Sequence, residues 1–143
     1  MDAVSRAPRG LEEVLIVVHR PGPEFLVLLR VPERGGYWHL VAGGVEQGET
    51  PEEAAARELA EETGPLRSPK LRPIPLRLGY EAPRGPIRLH PFSAQAPAGW
   101  EPVLNEEHVE YRWCSAAGAQ RLLAYPEPRA ALAWVARRLE AAT

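Results

Sequence analysis

The chain has 143 residues, a hydrophobic fraction of 45%, a charged fraction of 25% and a formal net charge of -2 at pH 7. These values predict a single globular domain over residues 1–143, and they lack the broad basic surface that holds a nucleic-acid polymer. No apolar run is long enough to span a membrane, and the first ten residues lack the apolar core of a signal peptide, so we expect a cytoplasmic protein.

Two aliphatic runs open the chain, residues 11–19 and residues 24–31, with a Pro-Gly-Pro break between them. Runs of this kind predict a β-hairpin or two neighbouring strands. Arg30 lies at the end of the second run, where it is either a ligand for phosphate or base or an ordinary surface arginine. After a turn over residues 32–36, Tyr37 and Trp38 begin a short strand, residues 37–41, that leads into a glycine loop.

A helix is predicted to follow the glycine loop. Thr50 is a capping residue, Pro51 suits the first helical position, and Glu53 stands where a capping-box carboxylate reaches back to the cap. Gly64 offers a left-handed stop. Local sequence therefore indicates both ends of this helix.

The predicted helix has an acidic side. At about 100° per residue, small or apolar residues fall on one arc, made of Ala55, Ala56, Leu59, Ala60 and Thr63. Glu58, Glu61 and Glu62 fall on the neighbouring arc, where like charges repel one another unless a cation lies among them. Carboxylate oxygens suit Mg²⁺ or Mn²⁺. The alternative is a solvated acidic helix without a ligand.

The stretch GGVEQGETPEEAAARELAEETGP, residues 43–65, carries glycines and carboxylates at fixed offsets. Gly43, Glu49, the run 57–59, the pair 61–62 and Gly64 have the spacing of the Nudix box, so the sequence resembles a Nudix hydrolase. The resemblance implies an α/β/α sandwich with a mixed β-sheet between helices. It also implies metal-dependent hydrolysis of a nucleoside diphosphate linked to another group.

Roles for individual residues follow from the same resemblance. It implies that Mg²⁺ (or Mn²⁺) is held by five groups, namely Glu58, Glu61, Glu62, Glu107 and the carbonyl of Ala42. Glu107 comes from a Glu-His loop after residue 105, with Glu106 as the fallback and a pair of exposed loop acids as the alternative. Glu58 and Glu107 are both candidates for the general base. Arg57 is expected to pair with Glu49 or with a metal-binding glutamate and hold it in position.

The second half of the chain completes the predicted sheet and adds two helices. Residues 67–75 are expected to be extended, residues 76–81 and 86–95 to be paired strands, and a further strand to follow residue 106. Tyr80 is expected to pack in the core or across strands rather than stack on a base, and Arg88 shares its strand face with His90. A short helix over residues 115–124 and an amphipathic packing helix over residues 130–141 follow.

The substrate is the least determined feature of the sequence. Val41 and Ala42 stand where many Nudix enzymes have proline and glycine, which resembles the branch acting on dATP and dihydroneopterin triphosphate. A nucleoside or pterin triphosphate is the first expectation, with a dinucleoside polyphosphate or ADP-ribose next and a non-catalytic nucleotide-binding module as the rival. Candidate substrate contacts are Arg30, Tyr37, Trp38, Tyr80 and Arg88. We expect a monomer or homodimer that binds neither membrane nor nucleic acid.

Overall fold

The computed structural model describes residues 11–66 and 69–142. Its strands are β1 (Glu12–Arg20), β2 (Glu24–Arg30), β3 (Trp38–His39), β4 (Val41–Gly44), β5 (Leu71–Pro73), β6 (Leu78–Ala82), β7 (Gly85–Gln95) and β8 (His108–Cys114). Its α-helices are α1 (Pro51–Thr63), α2 (Ala116–Leu122) and α3 (Pro126–Ala141), and a 3-10 turn covers Pro32–Arg34.

Within the described residues, the eight strands join in one mixed sheet whose central strand is β1. β1 runs parallel to β7 over eight residue pairs and antiparallel to β4 and to the start of β2. β5 and β6 both pair with β7, while β3 and β8 pair with β2. A strand with neighbours along both edges is expected to be buried on both faces, and residues 14–18 of β1 are all buried.

The alternation of side chains along β1 and β2 divides the core into two layers. Val14, Ile16 and Leu26 point to one face and pack with α1. Leu15 and Val17 point to the other face, where α2 and α3 cover them. The predicted sandwich of helices around a mixed sheet is therefore confirmed.

Most predicted elements lie close to their observed positions, including the hairpin, the paired strands β6 and β7, and the two C-terminal helices. The strand expected over residues 37–41 is instead two short strands, separated at Leu40. Of the extended segment predicted over residues 67–75, residues 67 and 68 lie outside the described part of the chain. Among the described residues, no helix is long and apolar enough to cross a membrane.

One prediction about α1 is wrong in part, namely which of its sides packs, although Ala55, Leu59 and Thr63 are buried as expected. Ala54 and Ala55 are fully buried, whereas Ala56 and Ala60 are exposed. The buried side is rotated toward the acidic arc, so that Glu62 lies inside it at 2% exposure. Side-chain size does not set this rotation, because the exposed Ala56 and Ala60 are as small as the buried Ala54 and Ala55.

Candidate active site

The helix α1 is fixed at both ends by the residues that the sequence indicated. The Thr50 hydroxyl accepts a hydrogen bond from the Glu53 N–H at 3.1 Å, and Glu53 Oε1 accepts one from the Thr50 N–H at 2.9 Å. Gly64 follows the helix with a φ of 80°, a conformation that disfavours any residue with a side chain. The predicted capping box is confirmed, and α1 does end at Gly64, but with a ψ of -179° that lies outside the left-handed helical conformation that was expected.

Gly43 lets the helix approach β4. Its partner across the sheet is Val14 in β1, and a Cβ added to Gly43 would overlap the carboxylate of Glu58. The carboxylate of Glu58 therefore occupies the space that a side chain at position 43 would fill, directly over the backbone of β4. This is a packing reason for glycine at this position, separate from any freedom of its backbone.

Glu62 lies one turn further along the same side of the helix and is buried deeply. Its Oε1 accepts a hydrogen bond from the Ala42 N–H at 3.3 Å, and its carboxyl group is also hydrogen-bonded to that of Glu58. Burial, followed by the hydrogen bond and charge of Glu58, raises the pKa of Glu62 to about 10. Burial also raises the pKa of Glu58, against the hydrogen bonds from Glu62 and Arg57. Burial therefore favours a protonated carboxyl group within this pair.

Arg57 joins the glycine loop to the acidic face of α1. Its Nε and Nη2 donate to the two oxygens of Glu49 at 2.7 and 3.0 Å, and Nη2 also donates to the Gly44 carbonyl at 2.8 Å. Nη1 donates to Glu58 Oε2 at 3.0 Å and lies 3.4 Å from Glu61 Oε1. The hydrogen bond from Arg57 lowers the pKa of Glu49. The predicted pairing is confirmed with both kinds of partner, because one guanidinium reaches Glu49 and Glu58 together.

Glu61 and Glu107 flank the buried pair. The side chain of Glu61 is 53% exposed, and that of Glu107 is 33% exposed with Oε2 lying 3.7 Å from Arg34 Nη2. Glu107 also contributes to the raised pKa of Glu62 through its charge. Across residues 11–66 and 69–142, no three acidic, histidine or cysteine side chains already converge as a metal-binding group. The structure thus brings Glu58 and Glu62 together, and Glu61 and Glu107 lie beside them with arginine partners.

An aromatic cluster lies around Arg30. Arg30 Nη1 donates to the Tyr37 hydroxyl at 3.3 Å, with its guanidinium 5.3 Å from the ring centroid. The Tyr37 ring meets Tyr125 edge to face, with 5.1 Å between centroids. Tyr125 directly precedes α3, 88 positions after Tyr37 in the numbering, and is 46% exposed. Sequence reasoning missed Tyr125, because nothing near it in the chain indicates this contact.

Tyr80 is not a core residue, contrary to the first part of our expectation. It is 41% exposed in β6, and its hydroxyl donates to Glu13 Oε1 on β1 at 2.7 Å. Burial of the hydroxyl and this hydrogen bond raise the pKa of Tyr80, and Tyr37 is close enough to contribute. Tyr80 therefore presents an open ring face near the cluster of Arg30, Tyr37 and Tyr125.

Two further candidates lie elsewhere. Trp38 packs partly buried against the α3 side of the core, with the Arg112 guanidinium 4.9 Å from its ring. Arg88 lines a cleft of about 860 Å³ between the start of α1, β7 and residues 73–78, and none of the four glutamates named above lines that cleft.

The carboxyl groups fit a hard divalent cation. Buried carboxylates without a cation cost free energy, and here the cost appears as the raised pKa of Glu58 and Glu62. The Ala42 N–H, the missing side chain of Gly43 and the Arg57 contacts hold two carboxyl groups beside an exposed third. Oxygen-only ligands of this kind suit Mg²⁺ or Mn²⁺.

Comparison with known proteins agrees with this geometry. A family model described as the NUDIX domain matches residues 11–135. An octanoyltransferase of Myxococcus xanthus is 42% identical over 114 residues, which are 75% of this chain and 31% of that protein. The chain spans between 30% and 54% of the length of the curated relatives it matches.

Solved structures show the same fold over nearly the whole chain. A binary complex of C. elegans Ap4A hydrolase has a TM-score of 0.79 at 26% identity and covers 92% of this chain and 98% of that one. The E. coli dihydroneopterin triphosphate pyrophosphohydrolase has a TM-score of 0.81 at 24% identity, with coverage of 93% and 99%. The second likeness concerns the fold alone.

Proposed function

This chain belongs to the Nudix family, and from that premise we propose that it hydrolyses a diphosphate linkage in a nucleoside diphosphate joined to another group. One observation carries the proposal: α1 buries a hydrogen-bonded pair of carboxyl groups, Glu58 and Glu62, over the backbone of β4. A purely structural helix gains nothing from this pair, since burial of each carboxyl group costs free energy. A cation-binding role explains why the pair is there.

Mg²⁺ or Mn²⁺ would be held by Glu58, Glu61, Glu62, Glu107 and the Ala42 carbonyl. When bound, such a cation neutralises phosphate oxygens and lowers the pKa of water. Arg57 holds Glu58 by a hydrogen bond on the solvent side of α1, and the Ala42 N–H holds Glu62 by a hydrogen bond on the side that faces the sheet. These contacts keep both carboxyl groups over β4, so that little reorganisation precedes ligand binding.

We assign the general base to Glu107. Glu58 has partners for its carboxyl group in Arg57 and Glu62, which leaves it poorly placed to accept a proton from water. Glu107 is partly exposed and has one distant ion-pair partner, Arg34, at 3.7 Å. A proton taken up at Glu107 can therefore pass to solvent without disturbing the buried pair.

A nucleoside or pterin triphosphate is the first substrate we propose. The edge-to-face pair of Tyr37 and Tyr125 offers an aromatic surface for one base. Arg30 lies over the Tyr37 ring, and the next residue, Val31, donates its N–H to the carbonyl of Glu107. Water attack between the α and β phosphates would release pyrophosphate and a monophosphate. A cytoplasmic location and a monomeric or dimeric state remain predictions.

A dinucleoside polyphosphate is the second candidate, and Tyr80 favours it. One base needs no more than the Tyr37–Tyr125 surface, so the open ring of Tyr80 is available to a second base. The similarity to C. elegans Ap4A hydrolase supports the same candidate. A third candidate, ADP-ribose, has no contact in its particular favour.

A substrate panel with Mg²⁺ tests the proposal by its products. Pyrophosphate from dATP with no cleavage of diadenosine tetraphosphate would support the triphosphate, and the reverse result would support the dinucleoside substrate. Tyr80→Ala should impair dinucleoside cleavage selectively if its ring holds the second base, whereas equal loss on every substrate would show a packing role. Saturable nucleotide binding without turnover on any of these substrates would overturn hydrolysis in favour of a binding module.

A further inference from the structure

Strand β8 lies at an edge of the sheet. Within the described residues it pairs with β2 alone, whereas β2 also pairs with β1 and β3. An edge strand exposes a row of backbone N–H and C=O groups with which another strand can pair. Val109, near the start of β8, is also 56% exposed. The edge of β8 is therefore a candidate for contact with another chain.

The hydrogen bonds of β2 show which backbone groups of β8 point outward. The Arg30 N–H donates to the Tyr37 carbonyl at 3.0 Å, so every second residue of β2, counted from Arg30, directs its backbone groups toward β3. The residues between them direct theirs toward β8, where they face Glu110 and Arg112. Tyr111 therefore points its N–H and C=O away from β2, and nothing in the described part of the chain pairs with them.

The two residues that flank Tyr111 in β8 carry opposite charges. The side chains of Glu110 and Arg112 are 47% and 53% exposed, and Arg112 Nε donates to Glu110 Oε2 at 3.1 Å. Charges on an edge strand usually prevent another strand from pairing there. A two-fold axis through Tyr111 removes that obstacle, because positions 110 and 112 are equally far from the axis. Each glutamate would then lie opposite the arginine of a second copy.

Two copies of β8 related by this axis are complementary in backbone and in side chains. The outward groups of Tyr111 meet those of the same residue in the second copy as a hydrogen-bonded pair. Glu110 and Arg112 then form non-hydrogen-bonded pairs, in which cross-strand side chains are closest and opposite charges stabilise the pairing. The exposed Val109 falls opposite Trp113 of the second copy. One register thus satisfies the backbone and the charges together.

We propose that the edge of β8 is a homodimer interface, in which two copies of β8 pair antiparallel about Tyr111 and join the two sheets into one. The alternating charges favour a second copy of this chain over an unrelated strand. The contact is short, so the dimer dissociates on dilution. The proposal does not depend on the proposed hydrolysis, because it uses none of the residues assigned to the metal site.

Charge reversal tests the pairing by analytical ultracentrifugation over a series of protein concentrations. The wild type should approach twice its monomer mass of 15.8 kDa as the concentration rises. Arg112→Glu and Glu110→Arg should each weaken the dimer at least about 10-fold, since each places two pairs of like charges across the axis. Arg137→Glu, at an exposed position of α3, changes the net charge as Arg112→Glu does. This matched control should dimerise like the wild type.

A mixture of the two reversals gives a sharper readout. Arg112→Glu and Glu110→Arg, mixed in equal amounts, place only opposite charges across the axis, so they should form a heterodimer although each alone stays monomeric. Thermal melts show that each variant is folded. Dimerisation of Arg112→Glu as strong as that of the wild type, or a folded mixture that stays monomeric, overturns the charge pairing. A wild type that stays monomeric at every concentration overturns the interface, whatever other protein binds to the edge.

Disulfide formation in air tests the register. Cys114→Ser removes the only cysteine of the sequence. In that background, Tyr111→Cys places a thiol opposite its own copy, at a Cα separation of about 5.5 Å that permits a disulfide. Val109→Cys is the control, because position 109 faces position 113 of the second copy. Tyr111→Cys should form a linked dimer at least about 10-fold faster than the control, and equal rates overturn the register.

Discussion

Helices α1 and α3 lie on opposite faces of the same sheet, yet they bury different kinds of side chain. α3 buries Ala131, Leu132 and Val135, which are all apolar. α1 buries Ala54, Ala55 and Leu59 but places Glu62 and Thr63 beside them. Both helices pack, and only α1 carries a carboxyl group into its packing surface.

The difference shows where this fold gives up stability for chemistry. Thr63 satisfies its hydroxyl within the helix by donating to the Leu59 carbonyl at 2.6 Å, so it costs little. Among the described residues, the nearest basic nitrogen to Glu62 is His108 Nε2, 3.9 Å from Oε1 and beyond hydrogen-bond distance, and the raised pKa of Glu62 expresses the cost of its burial. Substitution of Glu62 in α1 should therefore affect activity and stability in opposite directions, whereas substitution of a buried apolar residue in α3 should affect stability alone.

The largest effect is expected from Glu62→Gln in α1. Loss of one proposed metal ligand removes several kcal/mol of transition-state stabilisation, so turnover should fall about 10³-fold while the protein stays folded. The measurement is steady-state hydrolysis at saturating Mg²⁺, with circular dichroism as the check on folding. Glu140→Gln, an exposed carboxylate near the end of α3, is the matched control and should leave turnover unchanged. Wild-type turnover in Glu62→Gln would remove Glu62 from the metal site.

Leu132→Ala in α3 should give the opposite result. Leu132 is fully buried against the sheet, and removing a buried leucine side chain costs about 2–5 kcal/mol. Urea denaturation should show this loss in the free energy of unfolding. Turnover of the folded enzyme, measured well below its Tm, should stay close to that of the wild type. A large loss of turnover under those conditions would show that α3 contributes to the site and that the contrast between the helices is false.

Arg57→Lys tests the contact that supports α1 from outside. An ammonium group cannot donate to both oxygens of Glu49 while also reaching Glu58, so the position of Glu58 should loosen. We expect a 10- to 100-fold fall in turnover, with a smaller change in KM. Equal turnover in Arg57→Lys and wild type would show that charge alone suffices at this position.

The smallest effect concerns the pH dependence of stability in EDTA. The folded pKa of Glu62, about 10, lies above its ordinary value of 4.5, so its stabilising contribution is complete below about pH 4.5 and is lost as pH rises toward 10. Glu62→Gln lacks this loss. The Tm of the variant should exceed that of the wild type by an amount that grows from pH 5 to pH 9. At pH 9 the free energy of unfolding should differ by at least ~1 kcal/mol, which corresponds to roughly 3–5 °C in Tm. A Tm difference independent of pH would show that Glu62 is ionised in the metal-free fold.

The sequence by itself determined the features that depend on near neighbours in the chain. Thr50, Glu53 and Gly64 set the ends of α1 because capping contacts join residues three or four positions apart. The aliphatic runs over residues 11–19 and 24–31 indicated the central strands in the same way, because a run of neighbouring aliphatic residues is itself the signal for a strand. The pairing of Arg57 with Glu49 and Glu58 was also predictable, since all three belong to one loop and one helix.

Only the tertiary structure decided which side of α1 is buried and what meets it. Whether Ala54 or Ala56 packs depends on how closely the helix approaches β4, and that distance is set by Gly43 against Glu58. Tyr125 meets Tyr37, and Glu107 lies near Glu62, through contacts between segments far apart in the chain that the local sequence does not encode. The physical reason is desolvation: the pKa of Glu62 rises because the whole fold excludes water around it, and exclusion of water is a property of elements distant in the chain.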